Sequence, residues 1–514
     1  MGWVHAQIVA SANSEILLPP RLWGSVTVLA GTPNVTIRAA AGGSIIRNPH
    51  SQGILVGTGS GNDLPATYDT DWPITGWTDE ETFTVDGFPS WAAGTYLWVY
   101  PVNKGEAVAD GDGRPIGGFM AKVASNIDDV VVIADPMPTG FVTNFASIFA
   151  DGWQCRPIAT PARNINILGR LELMGQNNLG VSGSPQGIFA HLVDGLRIED
   201  AHTLNHYSQG MYLARCNNLQ VTQVSNRNCG SHNAGAGYLI ELDQCKDVVA
   251  QGIYGEGPGR PLTVSKSAFG HVITDLTGKG CRTAIGDWHG GGSYGNTWRR
   301  WSRFPGLVGA TFAEGNIETG NTTHTGPALG LTIEDSAVQC IQVKNNCDVT
   351  LKRCTVDMVQ FQSGTIHEAF AALPAKIRLE QCQNGFSWNT AVVQGTLGCD
   401  AEVTIVDGSY NLTGAKGLVG SADATYKMIT AGFDMTLSID SVVCSQNTTS
   451  TPFVNIEGTG TLTSIMDAPV FTGGVGTRTV VSAPNMSDGG GTWSGVTVNG
   501  TGVTKSAGQA DATP

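Results

Sequence analysis

The sequence predicts an all-β chain wound as a parallel β-helix, with a small antiparallel β-domain inserted near its N-terminus. Three observations predict it. A short strand motif recurs along the chain and ends at a cysteine in its clearest copies: "MYLARC" at Cys216, "IELDQC" at Cys245, "VTLKRC" at Cys354 and "IRLEQC" at Cys382. The spacing within these pairs is 29 and 28 residues, and weaker copies stand at "LTIEDS" (331–336), "VTIVDG" (403–408) and "LSIDSV" (437–442). Between the copies there are short Val/Ile/Thr runs and Gly, Asn and Asp turns, without long amphipathic helical periodicity, which is the signature of a β-solenoid.

Composition agrees. The chain has 514 residues, 68 of them glycine, and only 14% are charged. That is too little charge for a disordered chain, and no strict third-residue glycine marks a collagen. Of the 11 cysteines, Cys216, Cys245, Cys354 and Cys382 follow short apolar strands at the same offset, which explains their placement better than a disulfide framework does. They are read as stacked, reduced thiols, and no C-x-x-C pair points to zinc. The net charge of −14 argues against nucleic acid or anionic lipid as the main partner. No stretch reaches the length of a membrane span, and the N-terminus lacks a basic region followed by an apolar one. Action outside a cell then requires another route, such as release within a virus particle.

Along the chain, residues 1–60 read as the start of the solenoid, carried by "NVTIRAAAGGSIIRNP" (34–49). Residues 61–150 read as the inserted domain, residues 151–445 as the main helix, and residues 446–514 as a C-terminal β layer or tail. The "VTIRAAAGG" entry, the "WAAGTYLWVYPVN" and "MAKVASNIDDVVVIADPM" insertion and the 20–30-residue coils together resemble bacteriophage tailspikes and capsule depolymerases of the pectate-lyase-like right-handed parallel β-helix superfamily. The resemblance implies a homotrimer on a virion tail that binds and cuts a bacterial surface glycan, by hydrolysis or by β-elimination.

The stretch "GYLIELDQC" (237–245) focuses the search for a site. Period-two alternation turns Ile240 and Leu242 inward and Glu241 and Asp243 outward. Two carboxylates one pleat apart can lie about 5–9 Å from each other, which suits an acid and a base or nucleophile in glycoside cleavage. Aligning Cys216 on Cys245 sets Tyr212 beside Glu241, where an aromatic ring suits sugar stacking. The next coils contribute Lys266, then Asp287, Trp288 and His289. The loops "SNRNCGSHNAG" and "YGEGPGRP" offer His232, Glu256 and Arg260 as a lip.

Hydrolysis is expected from Glu241, Asp243 and Asp287. The alternative is a lyase with Lys266 or His289 as base. The order "SKS…RTAIGDWHG" resembles β-helix lyases in which a "KS" coil precedes an "RHG" coil; Lys266 matches the first, and Trp288 stands where the arginine would be. A non-catalytic glycan-binding fibre is the reading from another class. No cofactor or metal is expected, and His202 and His206, four apart, do not lie on a helix. "WRRW" (298–301) offers either contacts to acidic sugars or packing.

Overall fold

The computed structural model describes residues 2–502 except 49–51, 58–70, 103–117, 150, 176–185, 207–208, 230–237, 258–259, 280–283, 290–291, 304–315, 319–327, 345, 363–369, 371, 385–391, 413–416, 422–426, 447–451 and 474–478. Two compact units are present, residues 1–314 and 315–514.

In the first unit, successive coils stack as parallel strands on three faces. The first face is built from Pro33–Arg38, Ala162–Leu168 and Val193–Glu199, followed by residues 217–222 and 246–251. The second runs through Ser44–Arg47, Leu171–Met174 and Ala201–Leu204 to residues 225–227 and 253–256. The third stacks Ile54–Gly57, Ile188–His191 and Met211–Ala214, then residues 240–243, 262–265 and 286–289. Inward positions repeat from coil to coil: Val56, Ala190, Leu213, Leu242 and Val264 form one column, each at most 1% exposed. Gly57 closes the third face because its φ is +87° and an added Cβ would lie 1.9 Å from the His191 carbonyl oxygen.

The corners explain the sequence motif. In every copy the residue before the final position has a left-handed backbone: Arg215, Gln244, Asp335, Arg353, Gln381, Asp407 and Ser441, with φ between 50° and 54°. A single left-handed residue turns the strand by a tight corner, and the next side chain drops inside. That inner position is where Cys216, Cys245, Cys354 and Cys382 lie, each at most 2% exposed. The ten described cysteines are buried thiols. Burial pushes Cys245 above its ordinary value. The hydrogen bond with Cys382, then burial, does the same to Cys354.

The chain leaves the helix after Ile54–Gly57 and returns at Ala162–Leu168, which pairs with Pro33–Arg38. Between them, six antiparallel strands close a barrel: Trp72–Trp77, Thr82–Val85, Tyr96–Pro101, Phe119–Ile127, Val130–Ile133 and Trp153–Pro157. The barrel therefore reaches Pro157, a few residues past the boundary expected from the sequence. Its interior is aromatic, with Trp77, Phe83, Phe119, Phe141 and Trp153 in edge-to-face and tilted contacts.

One column of the helix holds this barrel. Asp194, Asn217, Lys246, Phe269 and Tyr294 are register partners in successive coils. The Tyr96 hydroxyl donates to Asp194 at 2.6 Å, and Asn217 Nδ2 donates to Asp135 at 3.2 Å. Lys246, 1% exposed, donates to the Asp135 carbonyl at 3.0 Å and pairs with Asp247. A buried ammonium tolerates burial only when paired in this way. Phe269 then meets Phe119, Phe141 and Phe145 with ring centroids 5.4–5.7 Å apart. One turn of side chain further, Trp98 of the barrel lies over the Arg215 guanidinium, 5.4 Å from the ring centroid.

"WRRW" is packing. Trp298 and Trp301 are buried and stacked, 4.2 Å between centroids, while left-handed Arg300 turns out to pair with Asp275 at 2.6 Å.

The second unit repeats the same physics. Leu331–Glu334, Asp348–Lys352, Ala375–Glu380, Ala401–Val406, Met435–Asp440 and Thr461–Asp467 stack in parallel on one face. Thr497–Val498 and its neighbours end the described stack.

His271 gives a pH test of this core. It is fully buried, with Nε2 2.9 Å from the Cys245 carbonyl, and burial lowers its pKa from 6.5 to about 4. The unfolded chain therefore binds the extra proton first. The contribution is complete above about pH 6.5 and is lost as pH falls toward about 4. Unfolding free energy should fall by up to about 1.4 kcal/mol per pH unit more steeply over that window in wild type than in His271→Gln. Urea titrations at several pH values read the difference; equal slopes contradict it.

Candidate functional site

The third face brings part of the sequence-read cluster together. Tyr212 pairs with Glu241 and Ala214 with Asp243, the alignment the cysteines indicated. Glu241 then pairs with Thr263, and Thr263 with Asp287. Phe189 precedes Tyr212 in the same column. One face thus carries, coil by coil, Phe189, Tyr212, Glu241, Thr263 and Asp287. Strands about 4.8 Å apart put the Cα atoms of Glu241 and Asp287 about 9.6 Å apart.

The parallel column, two residues along, runs His191, Ala214, Asp243, Ser265 and His289. Lys266 lies at a bulge, because the register slips between Asp243 and Cys245, which pair with Ser265 and Ala268. Bulges commonly re-aim a side chain beside a site. Trp288 departs from the expectation. It shares the column of Leu242 and Val264, both buried, so period two sets it apart from Asp287 and His289.

Exposure is the larger correction. Sequence alternation put both carboxylates on an outward face, which suggested solvent. Glu241 is only 8% exposed and Asp243 2%. Their partners account for them: Gln209 Nε2 donates to Glu241 at 2.6 Å, and the Tyr212 hydroxyl donates to Asp243 at 2.5 Å. His191 and Ala214, in the Asp243 column, are equally buried. This column adjoins the corner that the barrel covers, where Arg215 reaches from beneath Trp98 to His191 Nε2 at 3.4 Å. Phe189 and Tyr212 lie tilted against each other, centroids 5.4 Å apart and 35° between planes.

Phe189 and Gln209 were not singled out from sequence. The Phe189 coil ends in Leu192 and Val193 rather than in a cysteine, so the motif was hidden there; the left-handed Leu192 is its structural trace. Gln209 lies outside the strands.

Glu256 does not join Glu241. It belongs to the second face, where it meets Lys279 at 3.3 Å, Arg227 at 3.7 Å and the Tyr254 hydroxyl at 3.0 Å. The Tyr254 hydrogen bond, helped by Lys279 and Arg227, holds its carboxyl below the usual range. That face also has a groove of about 540 Å³, with Arg170, Glu172, His202, Ser225 and Arg227 in its wall. Both His202 ring nitrogens are engaged there, by Ser225 at 2.8 Å and Asp200 at 2.9 Å. His206 instead bonds the Leu173 carbonyl at 3.1 Å. Arg260 is in strand, paired with Tyr238. His232 lies outside the described residues, as do the side chains of Arg260, Lys266, Asp287, Trp288 and His289. Among the described residues, no group of three or more His, Cys, Asp or Glu could hold a metal, and no helix is long and apolar enough to cross a membrane.

No protein-family model matches the chain, and no curated protein matches it in sequence. In structure it is similar over nearly its whole length to phage tailspikes. Gp49 of Pseudomonas phage LKA1 is 13% identical, with 97% of this chain and 74% of that one covered and a TM-score of 0.44. Gp61 of Pseudomonas phage phi297 is 12% identical, covering 96% and 71%, with a TM-score of 0.41. Gp54 of Acinetobacter baumannii bacteriophage AP22, solved with an A. baumannii capsular saccharide, is 11% identical, covering 95% and 74%, with a TM-score of 0.45. At such identities no residue of those proteins is carried over.

Tyr212→Phe tests the buried pair. It keeps the ring and removes the donor to a carboxylate that is 2% exposed. Stability should fall by about 1–3 kcal/mol, the cost of leaving a buried acceptor short of a bond, measured by urea unfolding. An unchanged midpoint contradicts the contact.

Proposed function

We propose that the chain is a tailspike-like depolymerase that binds and cleaves a bacterial surface polysaccharide: a capsule, exopolysaccharide or O-antigen. The observation that carries this reading is the third-face column. A tilted aromatic pair, Phe189 and Tyr212, leads in successive coils to Glu241 and then, two strands on, to Asp287. Sugar rings pack on aromatic faces, and carboxyls spaced along the same line can act on the bond that follows.

The reaction proposed is hydrolysis, with Glu241 and Asp287 as the general acid and general base. Their Cα atoms, about 9.6 Å apart, leave the carboxyl separations of both retaining and inverting hydrolysis within reach. Asp243, behind Tyr212, is proposed as a positioning residue that fixes the tyrosine beneath the sugar. The elimination alternative has one observation in its favour, the bulge at Lys266 next to Ser265, whose partner is His289.

Incubation with purified capsules and O-antigens tests the reading. New reducing ends without an unsaturated-uronate absorbance support hydrolysis; with that absorbance, elimination. Glu241→Gln and Asp287→Asn should each lower kcat by about 10²–10⁴-fold. Asp243→Asn should lower it less, about tenfold. Wild-type rates in both Glu241→Gln and Asp287→Asn contradict the assignment, and binding without cleavage leaves a recognition fibre.

The assembly proposed is a homotrimer on a virion tail. Mass measured in solution should be three times that of the 53.8 kDa chain; a stable monomer contradicts it.

A further inference from the structure

The barrel carries a second cleft that the hydrolytic site does not use. Its volume is about 530 Å³, and its walls include Trp72, Trp91, Tyr96, Ser90, Thr95 and Thr160. That is within the range of about 300–1,000 Å³ usual for small-ligand sites. Trp72 and Trp91 meet edge to face, centroids 5.8 Å apart and planes at 81°, so one ring serves as floor and the other as wall. Both are partly exposed, unlike Trp153 of the barrel interior, 3% exposed, and Trp98 against the helix, 1% exposed.

The rings are held in place. The Trp91 backbone N–H donates to Asn126 Oδ1 at 3.0 Å. Gly87, with φ +99°, lies so close that an added Cβ would come 2.8 Å from the Trp72 ring. Tyr96, 2% exposed, gives its hydroxyl to Asp194 on the docking column and packs behind the two tryptophans, which leaves their rings as the faces open to a ligand. Ser90, Thr95 and Thr160 add hydroxyls, and among the described residues no charged side chain lines the cleft. Aromatic faces with hydroxyls and without charge match a neutral pyranose better than an acidic one.

We propose that this cleft is a second carbohydrate-binding site, taking a neutral pyranose unit of the same polysaccharide that the third face cleaves. The proposal rests on the depolymerase reading. Because the barrel is fixed to the helix through Tyr96–Asp194 and Lys246–Asp135, the cleft holds a fixed position relative to the third face. Two linked contacts raise avidity for a long polymer without changing the chemistry at either.

The test uses the full chain carrying Glu241→Gln, so that substrate persists, and an immobilised panel of purified capsular and O-antigen polysaccharides with neutral and acidic repeats. Trp91→Ala, and separately Ser90→Trp, which fills the cleft without removing a packed ring, should each weaken binding of the long polymer about tenfold or more. In the cleaving parent, the same two changes should leave kcat on a short released fragment unchanged. Equal polymer affinity in Ser90→Trp, with an unaltered melting curve, overturns the cleft and leaves the depolymerase reading standing. Retention of repeats that consist only of acidic sugars, lost on filling the cleft, overturns the neutral assignment. If no polysaccharide is bound even by the parent, the depolymerase reading fails and the cleft with it.

Discussion

The left-handed residue at each corner is the constraint on which the coils depend. It lets a strand turn within one residue, so successive coils repeat the same path and the same columns. Once the path repeats, a column's chemistry is set by one residue per coil. Apolar columns make the core, and the position after the turn takes a thiol in four copies and Ser336, Gly408 or Val442 in the others. A column can also change character along its length, as Asp194–Asn217–Lys246–Phe269–Tyr294 changes from polar to aromatic to match the barrel above it.

Docking of the barrel has a consequence for the site. It covers the corner beside Asp243, so the column of His191, Ala214 and Asp243 is nearly closed to water while Glu241, one pleat away, keeps a little exposure. Two carboxylates that look equivalent in sequence are thereby given different surroundings, Glu241 bonded by Gln209 and Asp243 bonded by Tyr212. The second face, by contrast, satisfies its charges among themselves: Glu256 with Lys279 and Arg227, and His202 with Asp200 and Ser225.

Much of the fold was legible in the sequence, because a β-helix writes its period locally. The offset of Cys216 and Cys245 set the register of Tyr212 on Glu241 without any three-dimensional information. The barrel was visible as strands, but its seat was not. The contacts of Lys246 with Asp135 and of Phe269 with Phe119 join residues more than a hundred positions apart, and nothing local marks them. For the same reason alternation gave the direction of Glu241 and Asp243 but not their burial. Trp288 was grouped with Asp287 by adjacency, although the strand period divides neighbours between faces. Phe189 escaped notice because its coil turns through Leu192 instead of the usual polar corner.

The central claim is that substrate lies along the third face, over Phe189, Tyr212, Glu241 and Asp287. The most direct measurement is a crystal structure of the Glu241→Gln protein soaked with an oligosaccharide released by the wild type. The account predicts sugar density running along that column, with a ring stacked on Tyr212 and a glycosidic oxygen within hydrogen-bond reach of position 241. Density confined to the second-face groove around His202 and Arg227, with the third face empty, would contradict it.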